Sequence, residues 1–352
     1  MRTDGPTQPS ADRLAAGQSP GGAGLPAAFP TARPRRLRRT PGLREVVRET
    51  SLEPADLVAP LFVKEGISEP QEVPSLPGVR QHTLDSLVAE AEDLRALGVR
   101  TLLLFGVPAH KDPEGSEAWN PDGVLQQGLA ALRQTHGEAF VLAADTCLDE
   151  YTDHGHCGPI DPGGHVDNDA ANAGYARAAV SQAEAGADVV APSGMMDGQV
   201  AAIRAALDAA GHAEDTAIMS YCSKYASALY GPFRDVAEST PTTGDRRGHQ
   251  LDPANAEEGV REALTDVAEG ADILLVKPAT AYLDLVHRVK AATGLPLAAY
   301  HVSGEYAMLQ AAAQKGWIDG DAVAGEIALS IRRAGADLVI TYAAAAIARR
   351  LQ

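Results

Sequence analysis

The chain has 352 residues, 45% of them hydrophobic and 5% aromatic, with a formal charge of -17 at neutral pH. That charge excludes nucleic acid and anionic membrane as general partners, because both are met through basic surface. No run approaches the roughly 20 apolar residues of a membrane span, and three cysteines make no disulfide framework, so free thiols in a reducing cytoplasm are expected.

Residues 1–30 are rich in Gly, Pro, Ala and Ser without an apolar period, the composition of a disordered leader. The opening MRTDGPTQPSADRL has no apolar core of a secretory signal. Residues 31–50 carry the basic run Arg33–Arg39, RPRRLRR, which reads as a solvated arm against the acidic remainder.

From residue 51 a rhythm begins. Apolar runs of strand length recur at Leu57–Val63, Thr101–Gly106, Phe140–Asp145, Ala187–Pro192, Ala217–Cys222, Asp272–Pro278, Leu297–Val302 and Asp337–Tyr342. Continuous hydrophobicity marks strands buried on both faces. Between most of them lie helical periods. In LDSLVAEAEDLRALG, Leu84, Leu87, Val88, Ala91 and Leu94 share one face, and several such segments end in Gly, a C-cap signal. A doubly wound open sheet would alternate similarly, but no Gly-x-Gly-x-x-Gly follows the first strand. The pattern predicts a (β/α)8 TIM barrel over 51–352, in which catalytic groups collect at the C-terminal ends of the strands.

The chemistry-bearing residues fall there. Asp145 closes the third strand, Lys224 follows the fifth, Lys277 closes the sixth, Ser303 follows the seventh and Tyr342 closes the eighth. Lys277 ends the apolar run ILLVK, where desolvation lowers an amine pKa, and a second cation at Lys224 lowers it further. A neutral amine attacks a ketone to give a Schiff base. One strand-end lysine is commonly a salt bridge; two on adjacent strands favour amine chemistry. The segment DTCLDEYTDHGHCG places Cys147, Asp149 and Cys157 on one loop. Three ligands with an open position would suit catalytic zinc, while two free thiols in a glycine-rich loop are the plain alternative. Cys222 reads as a small buried hydrophobe. After the fifth strand, Tyr230–Gln250 forms a long excursion with Arg234, Arg246 and Arg247. It is either an active-site lid that clamps a carboxylate or a solvated loop with internal ion pairs.

Taken together, SYCSKYASALYGPFRD, DILLVKPA, YHVSGEYAM, DTCLDEYTDHGHCG, the arm RPRRLR and the first-strand APLFVKEG resemble the porphobilinogen synthase (5-aminolevulinate dehydratase) family from about Arg33 to the last strand. The resemblance implies a lyase that condenses two 5-aminolevulinate molecules in tetrapyrrole (heme) biosynthesis. Lys277 and Lys224 would hold the first and second substrates as Schiff bases, with Asp145 assisting proton transfer. Ser303 and Tyr342 would hold the first carboxylate, and Arg234, Arg246 and Gln250 the second. It also implies a homo-octamer joined by the arm, zinc at Cys147, Asp149 and Cys157, allosteric magnesium at Glu258, and no organic cofactor. The sequence departs from the zinc-dependent pattern at Asp149, where those members have a third cysteine, and lacks the second Tyr common after Tyr342. A class I aldolase, the rival enzyme, needs only one imine lysine.

Overall fold

Threonine and proline set the first helix. Thr40 Oγ1 accepts from the Leu43 backbone N–H at 3.2 Å, and Pro41 occupies the first helical position, where no intrahelical N–H is needed. The resulting α1 (Pro41–Val46) follows a 3-10 turn, Pro34–Arg38. Neither element buries a side chain, and Leu37 and Val46 are 51% and 83% exposed. They belong to the first of two units, residues 1–49; the second is 50–352. The computed structural model describes residues 33–352, so the leader expected over 1–30 lies outside the described residues.

The second unit begins with β1 (Leu57–Lys64), followed by a small antiparallel pair, β2 (Gln71–Glu72) and β3 (Arg80–His82). Then come β4 (Thr101–Val107), β5 (Val141–Thr146), β6 (Val189–Pro192), β7 (Ala217–Lys224), β8 (Ile273–Lys277), β9 (Leu297–His301) and β10 (Leu338–Thr341). Strands β4 to β10 pair in parallel in chain order, and β1 pairs with both β4 and β10. Leu57 opposite Val339 and Val58 opposite Ile340 close the ring. The result is the expected eight-stranded parallel barrel. Its strands are buried almost throughout, as in β4, where all but Thr101 is buried, which explains the unbroken apolar runs.

The helices are α2 (Leu84–Ala96), α3 (Val124–His136), α4 (Asn168–Glu184), α5 (Gln199–Ala210), α6 (Gly231–Val236), α7 (Ala256–Glu269), α8 (Leu283–Thr293), α9 (Ser303–Gln314), α10 (Gly320–Ala334) and α11 (Ala344–Leu351). Leu87, Ala91 and Leu94 of α2 are buried, one stripe facing inward. Gly270 ends α7 at φ 106, a left-handed conformation glycine adopts without a Cβ clash; its N–H reaches the Asp266 and Val267 carbonyls. Among the described residues no helix is long and apolar enough to cross a membrane.

Candidate active site

Two neighbouring strands bring the lysines together. Lys224 and Lys277 are register partners at the ends of β7 and β8, after a register shift between Ser220 and Ser223. Lys224, expected just past its strand, is its last residue; Tyr342, expected to close the last strand, lies one residue beyond β10. Both lysines are buried.

Four aromatic rings surround Lys277. Its Nζ lies 4.7 Å from the Tyr300 ring centre, 4.8 Å from Phe233, 5.1 Å from Tyr230 and 5.3 Å from Tyr221. Burial, with the charge of Lys224 added, depresses the Lys277 amine to about 7. Lys224 goes the other way. Burial pulls it down, but the negative charges of Cys157 and Asp149 outweigh that and hold the ammonium. Its Nζ donates to the Ser193 carbonyl at 2.5 Å. Adjacent lysines thus differ in protonation: one rests near neutrality and the other stays charged.

Asp145 is buried near the end of β5 and accepts from Ser193 Oγ at 3.2 Å. Burial pushes its carboxyl up to about 7 against the pull of Lys277 and Lys224. Just beyond β5, one ligand atom each from Cys147, Asp149 and Cys157 lies within 4.8 Å of the others, all three residues buried. Cys147 Sγ is 2.5 Å from Asp149 Oδ1, and the Tyr175 hydroxyl lies 3.5 Å from the same sulfur while donating to the Cys157 carbonyl. The hydrogen bond from Cys147, helped by Arg246, holds the Cys157 thiol well below its usual range, whereas burial raises Cys147. Two sulfurs and a carboxylate converging in a buried pocket fit a borderline-soft divalent metal.

The excursion after β7 is more regular than its prolines and glycines suggest. A 3-10 turn, Ala228–Tyr230, leads into α6, which lays Phe233 over Lys277. The Phe233 N–H donates to Ser303 Oγ at 3.0 Å, and that hydroxyl donates to the Leu229 carbonyl at 3.2 Å. Ser303 therefore ties the lid to α9. Tyr342 accepts from the Tyr300 hydroxyl at 3.1 Å, leaving its own proton to donate. Further along, Arg246 Nη2 pairs with Asp149 Oδ2 at 2.7 Å and donates to the Gly155 and Ser239 carbonyls. This buried pair reaches outside the excursion to the loop after β5; the ion pair internal to the excursion is the exposed contact of Arg247 with Asp245 at 3.7 Å. The reading as a carboxylate clamp also has support: the buried Arg234 Nε, Arg246 Nε and Gln250 Nε2 have no hydrogen-bond partner. An unpaired buried donor costs about 1–3 kcal/mol, so three within one lid call for an acceptor. Burial and the nearby charge of Arg246 lower the Arg234 pKa, consistent with two guanidiniums gathered in one place.

Glu258 does not join this cluster. It lies in the first turn of α7, where Asn255 Nδ2 donates to its Oε2 at 2.7 Å. It lines a cleft of about 1070 Å³ with Asp197, Asp252, Glu262 and Gln250. Arg247 is on the same cleft, which it shares with Gln250 but not with Arg234 or Arg246. Cys222 is buried in β7 with its thiol on the Leu275 carbonyl.

Ser193, which touches both Lys224 and Asp145, and Tyr175 beside Cys147 are not distinguished by any pattern in the sequence. A serine after a strand and a tyrosine within a helix carry no distinctive spacing. Tyr221, Tyr230 and Phe233 lie in SYCSKYASALYGPFRD and Tyr300 in YHVSGEYAM, and aromatics gathered in these two segments beside the lysines were the available signal.

The family model for delta-aminolevulinic acid dehydratase matches residues 31–350. The dehydratase of Halalkalibacterium halodurans is 54% identical over 319 residues, 91% of this chain and 96% of that protein. That of Mycobacterium tuberculosis is 55% identical over 316 residues, 89% and 95% of the two chains. The crystal structure of delta-aminolevulinic acid dehydratase (porphobilinogen synthase) from Toxoplasma gondii, in complex with the reaction product porphobilinogen, superposes with a TM-score of 0.88 at 42% identity, covering 91% of each chain. Matched by the family model over residues 31–350 and by relatives of 54% and 55% identity along nearly its whole length, this chain belongs to the delta-aminolevulinic acid dehydratase family.

Proposed function

We propose that this chain is a porphobilinogen synthase, a lyase that condenses two molecules of 5-aminolevulinate into porphobilinogen with loss of two waters, on the route to tetrapyrroles. The observation that carries this reading is the buried register pair of Lys224 and Lys277.

Lys277, near neutrality, attacks the ketone of the first substrate; water leaves and a protonated imine remains. That imine is an electron sink that makes the neighbouring carbon acidic. Lys224 forms the second imine once its ammonium yields a proton. One C–C bond and one C–N bond then form, and the lysines are released. Asp145, also titrating near neutrality, holds or gives up a proton between the two substrates. The rings around Lys277 keep water from its amine. Arg234, Arg246 and Gln250 would hold the second carboxylate through their orphaned donors. For the first carboxylate, Tyr342 offers its free proton, and Ser303 would turn its hydroxyl from Leu229.

Cys147, Asp149 and Cys157 would hold zinc, which when bound acts as a Lewis acid on an amine or water. Glu258 would serve an allosteric magnesium, an ion that keeps most of its waters and needs few carboxylates. The reaction as written needs no organic cofactor. The arm's exposed Leu37 and Val46 support its role in subunit contacts within a homo-octamer, and three free cysteines suit a cytoplasmic setting.

Borohydride reduction in the presence of 5-aminolevulinate tests the chemistry. We expect mass spectrometry to find the reduced adduct on Lys277 and Lys224. A substrate-dependent adduct on neither lysine would refute it.

A further inference from the structure

The two oxygens of Asp149 face different neighbours. Oδ1 lies 2.5 Å from Cys147 Sγ, and an Asp149 carboxylate oxygen lies within 4.8 Å of a ligand atom of both Cys147 and Cys157. Oδ2 lies 2.7 Å from Arg246 Nη2, in an ion pair whose side chains are 2% and 4% exposed. Arg246 is divided as well. Its Nη2 spends both protons on the Gly155 and Ser239 carbonyls and meets Asp149 Oδ2 as a close charge contact, that oxygen having no hydrogen bond of its own; its buried Nε has no partner. A single carboxylate can therefore serve the metal cluster with one oxygen and position the lid arginine with the other. A cysteine at this position, with one sulfur on a shorter side chain, would have no second atom to offer the guanidinium, and a metal-bound sulfur is a weaker acceptor than a carboxylate oxygen.

We propose that Asp149 is a positioning residue that couples metal binding at Cys147, Asp149 and Cys157 to the placement of Arg246, and through it to the lid donors for the substrate carboxylate. The proposal rests on the porphobilinogen synthase reading for what the donors receive, but the coupling itself needs no substrate. Outer partners that orient a ligating carboxylate strengthen its hold on a metal, and their loss weakens affinity about 10- to 100-fold. A metal fixed on Oδ1 restrains the carboxylate, and Oδ2 then fixes the guanidinium. By linkage, whatever Arg246 contributes to metal affinity the metal returns to the order of Arg246.

A double-mutant cycle on the full-length protein tests this, with zinc affinity as the readout. Zinc binding is measured by competition with a chromogenic chelator in the wild type, Arg246→Met, Asp149→Cys and the double variant. We expect Arg246→Met to weaken zinc at least about tenfold when Asp149 is present, and less than about twofold in the Asp149→Cys background. An equal loss in both backgrounds, or no loss in either, would overturn the coupling. Should the Asp149→Cys chains fail to fold or to bind zinc, hydrogen exchange of residues 239–250 in the wild type decides the matter. Exchange slowed about tenfold by one equivalent of zinc supports the coupling; unchanged or faster exchange overturns it. Failure here leaves the synthase reading standing, whereas absence of porphobilinogen formation would defeat that reading and leave the zinc cycle intact.

Discussion

Lys277 and Lys224 occupy equivalent places on adjacent strands, yet their surroundings drive them apart. Aromatic burial lowers one, and the cysteine–aspartate cluster holds the other as an ammonium. Only the unprotonated amine attacks, so we expect imine formation at Lys277 to accelerate as pH rises through about 7 and then level off. Lys224→Met removes a repelling cation and should move that midpoint upward; rapid-quench borohydride trapping across pH would show it. At the other end of the substrate, Arg234→Met should raise KM for 5-aminolevulinate about 10- to 100-fold, the size of a lost charged hydrogen bond worth about 1.5–3 kcal/mol, with a smaller change in kcat. Steady-state kinetics separate the two. The lysines were legible in the sequence because a lysine ending an apolar strand is itself an anomaly. The Arg246–Asp149 pair was not: its partners are 97 positions apart by their numbering and meet only when the lid folds over the loop after β5.

At the scale of elements, the eight barrel strands fall within two residues of the positions their apolar runs mark, because strands buried on both faces have little choice of composition. The small pair β2 and β3 left no comparable trace, being short and largely exposed along β2. Helix α6 was hidden too. Six residues with a glycine and a proline show no helical period, and its position is fixed from outside, by Ser303 on α9 and by the packing of Phe233. Close approach at α9 makes this contact testable. A Cβ on Gly304 would sit 2.5 Å from the Leu229 carbonyl oxygen and 2.8 Å from its Cα. Both atoms are backbone, so the lid itself would have to shift. We expect Gly304→Ala to cost about 1–3 kcal/mol, as overpacking does, and to raise the Lys277 midpoint by admitting water past Phe233. Thermal melting and the imine pH profile report the two effects separately.

For the whole molecule, closure of the barrel was implied by eight alternations but not by any one of them; the pairing of β1 with β10 supplies it. The arm is different in kind. Its turn and helix bury no side chain, and a segment of that sort gains order from a partner surface. A chain beginning at Thr50 should keep the barrel's circular dichroism and sediment as a smaller assembly than the full-length protein; an unchanged sedimentation coefficient would remove the arm from subunit contacts. The most direct measurement is porphobilinogen formation from 5-aminolevulinate by the purified full-length protein, before chelation, after it, and with zinc or magnesium restored separately. We expect turnover to disappear on chelation, to return with zinc, and to be absent from Lys277→Met under every condition. No porphobilinogen under any metal condition would contradict the account at its centre, and full activity with magnesium alone and no bound zinc would contradict the role given to Cys147, Asp149 and Cys157.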